Sequence, residues 1–527
     1  MNRLPPHASA PPPEQERTAG MGRFGSRAAL GLVALLVGAV PFLLLMLLVQ
    51  ANWSPLASLD GEVGAELNAV VSGNPTLVGV LRGVTDLGGN GAAILVFTLT
   101  TVFLLIRGRR RLAAFAVATG VGLAVLVPVT KALIGRARPV VESPVSDIPS
   151  NASFPSGHAM VSVVTFGMLA LLVLPAVRRR ARPWVVVAAV LVALVVGFTR
   201  LALGVHFVSD VLAGWFLGAG LLAVTTAAFR VWQHHLGHRT AEPLDPLEVE
   251  ARDAPHLALP GRRVLPDGRR TVLALLGWAT AIAVTLIVLG LLVTGALTDT
   301  VVGRFDRAVV RTFLEWRGET LTDVATLVGT LSGTRMVIAV SLTLAVVALA
   351  VTASWRPVVF VLVSVLGEVG LYVVVSRLVD RVRPTVLDLT SGLPTGASWP
   401  SGHSAAAVAI YGALAALVIA CARGRRRRLV LVVPVLIAPA VSLSRIYTAA
   451  HYPTDVLAGM LLGTAWVLVC AHYLLPGSPS RCATRRAPGP AGRTPCPDRP
   501  GSRSRGARQL GHGSGRVPIR AAGSPPA

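Results

Sequence analysis

Residues 112–139 read LAAFAVATGVGLAVLVPVTKALIGRARP. The first 19 of these residues carry no charge, and Lys131, Arg136, Arg138 and Pro139 then follow within nine positions. An uncharged apolar run of that length is enough to cross a hydrocarbon core as a helix. Cations are costly inside a bilayer, so a cluster of them at the end of such a run marks either the point of exit or a functional site.

Similar runs lie on both sides of this one, near 28–50, 90–106, 157–177, 183–204 and 207–230, then 270–295, 336–354, 357–378, 402–422, 429–446 and 452–474. With 112–134 they make twelve candidate spans in two groups of six, with 90–106 the shortest. The expectation is an all-α polytopic membrane protein. Composition agrees: of 527 residues 53% are hydrophobic and only 14% charged, against about a quarter charged in soluble domains. That argues against an ordinary soluble enzyme, and the abundance of aliphatic residues excludes a disordered chain.

The net charge is +24, from 49 Lys+Arg against 25 Asp+Glu, and Lys131 is the one lysine. The arginines cluster between apolar runs, at Arg107–Arg111, Arg178–Arg182, the 231–268 linker, Arg356, Arg423–Arg428 and the tail. That alternation is how cytoplasmic loops are marked. It predicts a multi-pass protein of the plasma membrane with both termini cytoplasmic, and it argues against a nucleic-acid partner. The domain reading is a disordered leader over 1–27, a six-helix unit over 28–230, a cytoplasmic linker over 231–269, a second six-helix unit over 270–474 and a disordered basic tail over 475–527. Segments 51–89 and 296–335 carry weak amphipathic patterns around Leu59-Asp60 and Phe305-Asp306, which suggest helices lying at the membrane interface.

The halves repeat. Gly135-Arg136-Ala137-Arg138-Pro139 matches Asp380-Arg381-Val382-Arg383-Pro384, and Pro155-Ser156-Gly157-His158 matches Pro400-Ser401-Gly402-His403. Thr199-Arg200 with His206 and Asp210 matches Ser444-Arg445 with His451 and Asp455, always at an offset of 245. An internal duplication explains this register. Because each unit has an even number of spans, both motif sets fall on the same side, the outer face.

The chemistry of these groups points to an anion. Lys131, Arg138 and Arg200 are three cations, and Pro155-Ser156-Gly157 opens a predicted span. A helix start with free N–H groups favours phosphate. Only His158, His206 and Asp210 are metal-ligand types, so neither a metal nor a cofactor is implied. His206 and Asp210 are four apart and share a helix face. An aspartate beside a histidine holds one ring nitrogen as donor and leaves the other free as a nucleophile. His158 can protonate a leaving oxygen and then activate water. Together they describe phosphoryl transfer through phosphohistidine.

These blocks resemble the type 2 phosphatidic acid phosphatase superfamily, which includes the vanadium haloperoxidases. Its pattern is K-x6-R-P, then P-S-G-H, then S-R-x5-H-x3-D. The first half fits from Lys131 to Asp210, with Thr199 in place of serine. The resemblance implies two fused six-helix phosphatase units. It implies His206 as nucleophile, Asp210 as its partner and His158 as acid/base, with Lys131, Arg138, Ser156, Gly157 and Arg200 holding the phosphate. In the second half it implies His451, Asp455 and His403 as the catalytic set and Arg383, Ser401, Gly402 and Arg445 on the phosphate. Position 376, where the pattern has lysine, is serine, and Arg377 beside it is the candidate cation. The second site reads as an active copy; the alternative is a degraded one that binds phosphate weakly or only supports packing.

The expected function is hydrolysis of a lipid phosphomonoester or pyrophosphate, of the phosphatidic acid, phosphatidylglycerol phosphate or polyprenyl diphosphate class, with membrane lipids as surroundings. A lipid phosphotransferase and a non-enzymatic lipid-phosphate binder or transporter are the alternatives. His234, His235 and His238 read as linker residues, and Trp399 as an interfacial anchor. The four cysteines have no metal or redox spacing, and nothing in the sequence specifies an oligomer.

Overall fold

A computed structural model describes residues 34–141, 145, 150–235, 247, 268–384, 397–421 and 425–475. The leader, most of the linker, the Arg423 cluster up to Gly424 and the tail after 475 lie outside the described residues. Within them the chain is helical, without strands.

The first half holds α1 (Val40–Gln50), α2 (Ser54–Ser72), α3 (Pro75–Thr85), α4 (Asn90–Ile106), α5 (Arg110–Ile134), α6 (Gly157–Val173), α7 (Arg182–Ala202) and α8 (Val208–His235). The second repeats the order with α9 (Gly268–Thr294), α10 (Val301–Glu315), α11 (Glu319–Thr330), α12 (Thr334–Thr352), α13 (Trp355–Leu378), α14 (Gly402–Cys421), α15 (Arg425–Tyr447) and α16 (Pro453–Leu474). Each helix of the first half thus has its counterpart eight elements later. Equivalent helices also meet: α4 packs on α12.

Among the described residues nine helices are long and apolar enough to cross a membrane, and two bent pairs bring the number to eleven. α15 adds a shorter apolar stretch over Val435–Tyr447. Their outward faces are apolar: Leu133 is 76% exposed and Trp184 73%. Side chains of this kind on face after face have no place in water and suit lipid. The protein is a multi-pass membrane protein.

The bends fall where the sequence has weak amphipathic patterns. The chain turns by 91° between Leu36–Gln50 and α2, and by 43° between Pro75–Gly88 and α4. The buried face of α2 is partly polar, made of Asp60, Gly64, Asn68 and Val71. That of α10 is Gly303, Asp306 and Val310. These helices therefore press polar side chains inward, onto the motif-bearing ends of their units.

The start of α6 is locked to the start of α8. The Ser156 N–H donates to the Asp210 carbonyl at 2.9 Å, and the Ser401 N–H donates to the Asp455 carbonyl at the same distance. Glycine permits this approach. A Cβ on Gly214 would stand 2.5 Å from the Ser156 carbonyl, and one on Gly218 3.2 Å from that of Met160. Gly459 and Gly463 repeat the pattern against Ser401 and Ala405. Small residues four apart are a general means of close helix contact in membranes; here they set the P-S-G-H turn against the H-x3-D helix.

Trp399 corrects its sequence reading. It is 3% exposed and its indole N–H donates to the Leu286 carbonyl at 3.0 Å. It is a core residue rather than an interfacial anchor. The helix carrying His234 and His235 is an extension of α8; His238 lies outside the described residues.

Candidate active site

α5 ends where Gly135 takes a left-handed conformation (φ +64) and its N–H caps the Lys131 carbonyl. This left-handed turn ends the helix and sends Arg136 and Arg138 back over the motif end of the unit. His206 lies in the turn between α7 and α8, and Asp210 in the first turn of α8.

Asp210 is fully buried, and both of its oxygens are occupied. Oδ1 accepts from Arg136 Nη1 at 2.7 Å. Oδ2 accepts from the Phe207 N–H at 3.0 Å and from the Ser153 hydroxyl, and lies 3.3 Å from His206 Nδ1. With Nδ1 facing a carboxylate, Nδ1 carries the ring proton and Nε2 presents its lone pair. Burial, opposed by Asp210, pulls His206 down to about 4. The ring is therefore neutral near pH 7, as a nucleophile must be.

His206 Nε2 is not idle. Arg138 Nη1 stands 3.2 Å from it and also donates to the Val205 carbonyl at 2.8 Å. Asn151 holds the rest of the guanidinium, accepting from Nε at its carbonyl (3.0 Å) and from Nη2 at its side chain (2.6 Å). Lys131 Nζ donates to the Ala152 carbonyl. Arg200 Nη1 donates to Thr85 Oγ1 at 3.0 Å, and its buried Nε has no partner. A buried donor without an acceptor is costly, and an anion would satisfy it. Lys131, Arg138, Gly157, His158, Arg200 and His206 all line one cavity of about 880 Å³. Ser156 sits behind it, its hydroxyl accepting from the Ala159 N–H at 3.5 Å as the cap of α6. The cavity runs on from the cations between α4 and α5, past Ala93, Phe97, Thr101 and Val121.

The second half rebuilds most of this. His451 Nε2 lies 3.3 Å from Arg383 Nη1, which donates to the Ala450 carbonyl at 2.9 Å. Burial, reinforced by Arg383, lowers His451 to about 3. Its Nδ1 donates to the Ser398 carbonyl at 2.8 Å, while Asp455 Oδ2 stands farther off at 3.9 Å. Asp455 instead accepts from Ser398 Oγ (2.5 Å), the Tyr452 N–H (2.9 Å) and Arg381. His403, Arg383 and Arg445 interact electrostatically with one another and with His451. Ser401 is buried beside Ser404, the hydroxyls 3.0 Å apart, and Gly402 opens α14. Arg377 is the sequence candidate that the fold does not bring in: its side chain is exposed on α13, and Ser376 turns its hydroxyl back to the Val373 carbonyl at 3.3 Å.

Three positions in each half escaped the sequence reading of the site. Asp60, on α2, accepts from Arg136 Nη2 at 2.8 Å, from the Ser209 N–H at 2.9 Å and from Ser209 Oγ at 2.5 Å. Arg136 thus bridges two buried carboxylates, Asp60 and Asp210, and stacks 4.1 Å over the Phe207 ring. In the second half Arg381 bridges Asp306 and Asp455 and lies 4.5 Å over Tyr452, and Thr454 replaces Ser209. Ser153 and Ser398 complete the sets. A signal was there: Asp60 and Asp306 are acidic residues at matching places on the two weak amphipathic segments. What hid them is an offset of 246 rather than 245, and a pattern that reads as interfacial.

The sequence matches the family model of the PAP2 superfamily twice, over residues 111–233 and 357–476. It is 38% identical over 109 residues to an undecaprenyl-diphosphatase of Sulfolobus acidocaldarius, covering 20% of this chain and 48% of that one. It is 32% identical over 166 residues to phosphatidylglycerophosphatase B of Bacillus subtilis, covering 28% and 74%. It is 37% identical over 93 residues to a decaprenylphosphoryl-5-phosphoribose phosphatase of Mycobacterium tuberculosis, covering 17% and 46%. The chain thus spans about half the length of the first and third of these relatives and three quarters of the second.

Proposed function

The chain belongs to the PAP2 superfamily, and from that premise we propose that it is a lipid phosphatase. The observation that carries this reading is the continuity of the first cavity: cations and two histidines at one end, an apolar groove between membrane helices beyond it. A phosphate group suits the first part and a lipid chain the second.

In the proposed reaction the phosphate enters among Lys131, Arg138 and Arg200 and draws Arg138 away from His206 Nε2. That nitrogen attacks phosphorus, a P–N bond forms, and the P–O bond to the lipid breaks. His158, taking up a proton from solvent as the phosphate anion enters beside it, gives that proton to the leaving oxygen. It then takes a proton from water, whose oxygen attacks phosphorus and releases inorganic phosphate with His206 restored. Asp210 stabilises the ring while it carries charge. The charge on the phosphoryl oxygens is met by guanidinium, ammonium and the N–H groups at the α6 start, so the step needs no metal. Purified protein in excess EDTA is expected to release phosphate from phosphatidic acid, phosphatidylglycerol phosphate or a polyprenyl diphosphate at the rate seen without chelator. Loss in EDTA with recovery on adding a divalent cation would reject the metal-independent route.

We place the sites at the outer face of the plasma membrane. Arg107 and Arg109, between α4 and α5, with Arg110 and Arg111 at the start of α5, mark the end of the unit opposite Lys131, where the positive-inside rule puts the cytoplasm. Intact spheroplasts are expected to hydrolyse an added membrane-impermeant phosphate ester without permeabilisation. A requirement for permeabilisation would reverse the orientation.

A further inference from the structure

The two units differ along one helix face that ends at the proposed phosphate site. In α5 that face carries Thr119, Leu123, Val127 and Lys131, spaced by four; in α13 the equivalent residues are Ser364, Glu368, Tyr372 and Ser376. The lysine is gone from the second unit, and neither neighbour replaces it: Ser376 bonds its own helix and Arg377 is exposed.

One turn earlier the space is filled. In the first unit, a Cβ built on Gly157 would meet Val127 Cγ1 at 3.4 Å and Lys131 Cε at 3.8 Å. In the second, a Cβ on Gly402 would meet Tyr372 Cε2 at 3.0 Å and Cζ at 3.1 Å. The ring end that bears the hydroxyl therefore covers the same glycine, at the start of the same helix. That hydroxyl is also within electrostatic reach of Arg383, as Lys131 is of Arg138. Valine with lysine has been exchanged for tyrosine with serine, and because the Ser376 hydroxyl turns back to its own helix, the donor beside this glycine has moved by one turn.

We propose that the Tyr372 hydroxyl is a phosphate donor of the second site, in the role that Lys131 fills in the first. A phenol O–H donates one hydrogen bond to a phosphoryl oxygen, as an ammonium can. It brings no formal charge, so the second site meets its ligand with one cation fewer. The proposal rests on the second unit being a phosphatase site, and the two can be separated by experiment.

The test uses the full chain carrying His206→Ala, so that turnover reports the second site, with a lipid phosphomonoester as substrate and vanadate as a phosphate-like inhibitor. Adding Tyr372→Phe keeps the ring over Gly402 and removes only the hydroxyl. The expected result is a fall in kcat/KM and in vanadate affinity of about 10- to 100-fold, as for a hydrogen bond to a charged group, with an unchanged melting temperature. Tyr372→Val with Ser376→Lys, which rebuilds the first unit's pair, is expected to return turnover to within about tenfold of the His206→Ala parent. Turnover unmoved by Tyr372→Phe would overturn the role of the tyrosine and leave the phosphatase reading intact. A parent without any turnover that His451→Ala can remove would overturn both.

Discussion

Replacing both His206 and His451 with alanine is expected to lower lipid-phosphate release by at least about 10³-fold, because removal of a covalent nucleophile takes away the step on which the rest of the site acts. Both imidazoles are buried, 3% exposed each, with Nδ1 committed to a partner and Nε2 facing the arginine of the R-x-R-P turn. Alanine leaves the cations in place, so phosphate binding should outlast turnover. The single variants apportion the activity. His206→Ala is expected to remove the larger share, since the first site keeps three cations lining its cavity, and the remainder measures the second site. Brief incubation with ³²P-labelled lipid, followed by alkaline electrophoresis, should trap acid-labile phosphohistidine on the parent and none on the double variant. Activity in the double variant comparable to the parent would reject the mechanism.

Asp60→Ala is the second large effect expected. Asp60 is 1% exposed and accepts from Arg136 and from both the N–H and the hydroxyl of Ser209. Its removal leaves a guanidinium, itself 19% exposed, with one carboxylate where it had two. Breaking a buried ion pair by deleting one partner costs about 3–5 kcal/mol, and the partial exposure of Arg136 puts the effect at the lower end. Arg136 is also what fixes Asp210 Oδ1, so the loss should reach His206. By analogy with partners that orient metal-bound histidines, activity should fall about 10- to 100-fold. A positioning role predicts a fall in kcat with little change in KM, and partial recovery in Asp60→Asn, which keeps an acceptor oxygen for Ser209. Asp306→Ala in the His206→Ala background should do the same to the second site. Wild-type kcat in a folded Asp60→Ala protein would leave the network a purely structural one.

Much of this architecture was legible in residue order. A bilayer demands long apolar runs, and the candidate runs fall on helices among the described residues, nine to eleven of them long and apolar enough to span, with 429–446 holding only the shorter apolar stretch Val435–Tyr447. The R-x-R-P, P-S-G-H and H-x3-D blocks were legible because duplication printed them twice at one spacing. Asp60 and Asp306 were not, because a weak amphipathic pattern does not tell which face is buried; here the inward face carries the carboxylates. Arg377 misled for a related reason. Proximity in sequence placed it next to the missing lysine, while the helix turn of about 100° per residue set it on the exposed side. Trp399 is an apolar side chain beside a motif, a position compatible with core or interface until the neighbouring α9 supplies the Leu286 carbonyl.

By itself the sequence determined that the chain is a duplicated helical membrane protein with a matching set of histidines and cations in each half. Those are properties of length, period and spacing, which act along the chain. The tertiary structure alone decided which groups share a site: that Arg136 joins Asp60 to Asp210 across 150 residues of chain, that Arg138 rests on His206 Nε2, and that Tyr372 covers the glycine where Lys131 lies in the other half. Such pairings depend on distances of about 3 Å between side chains from different helices. They are fixed only when glycines on α8 and α16 let the helix backbones approach and the polar faces of α2 and α10 close over the ends of the bundle.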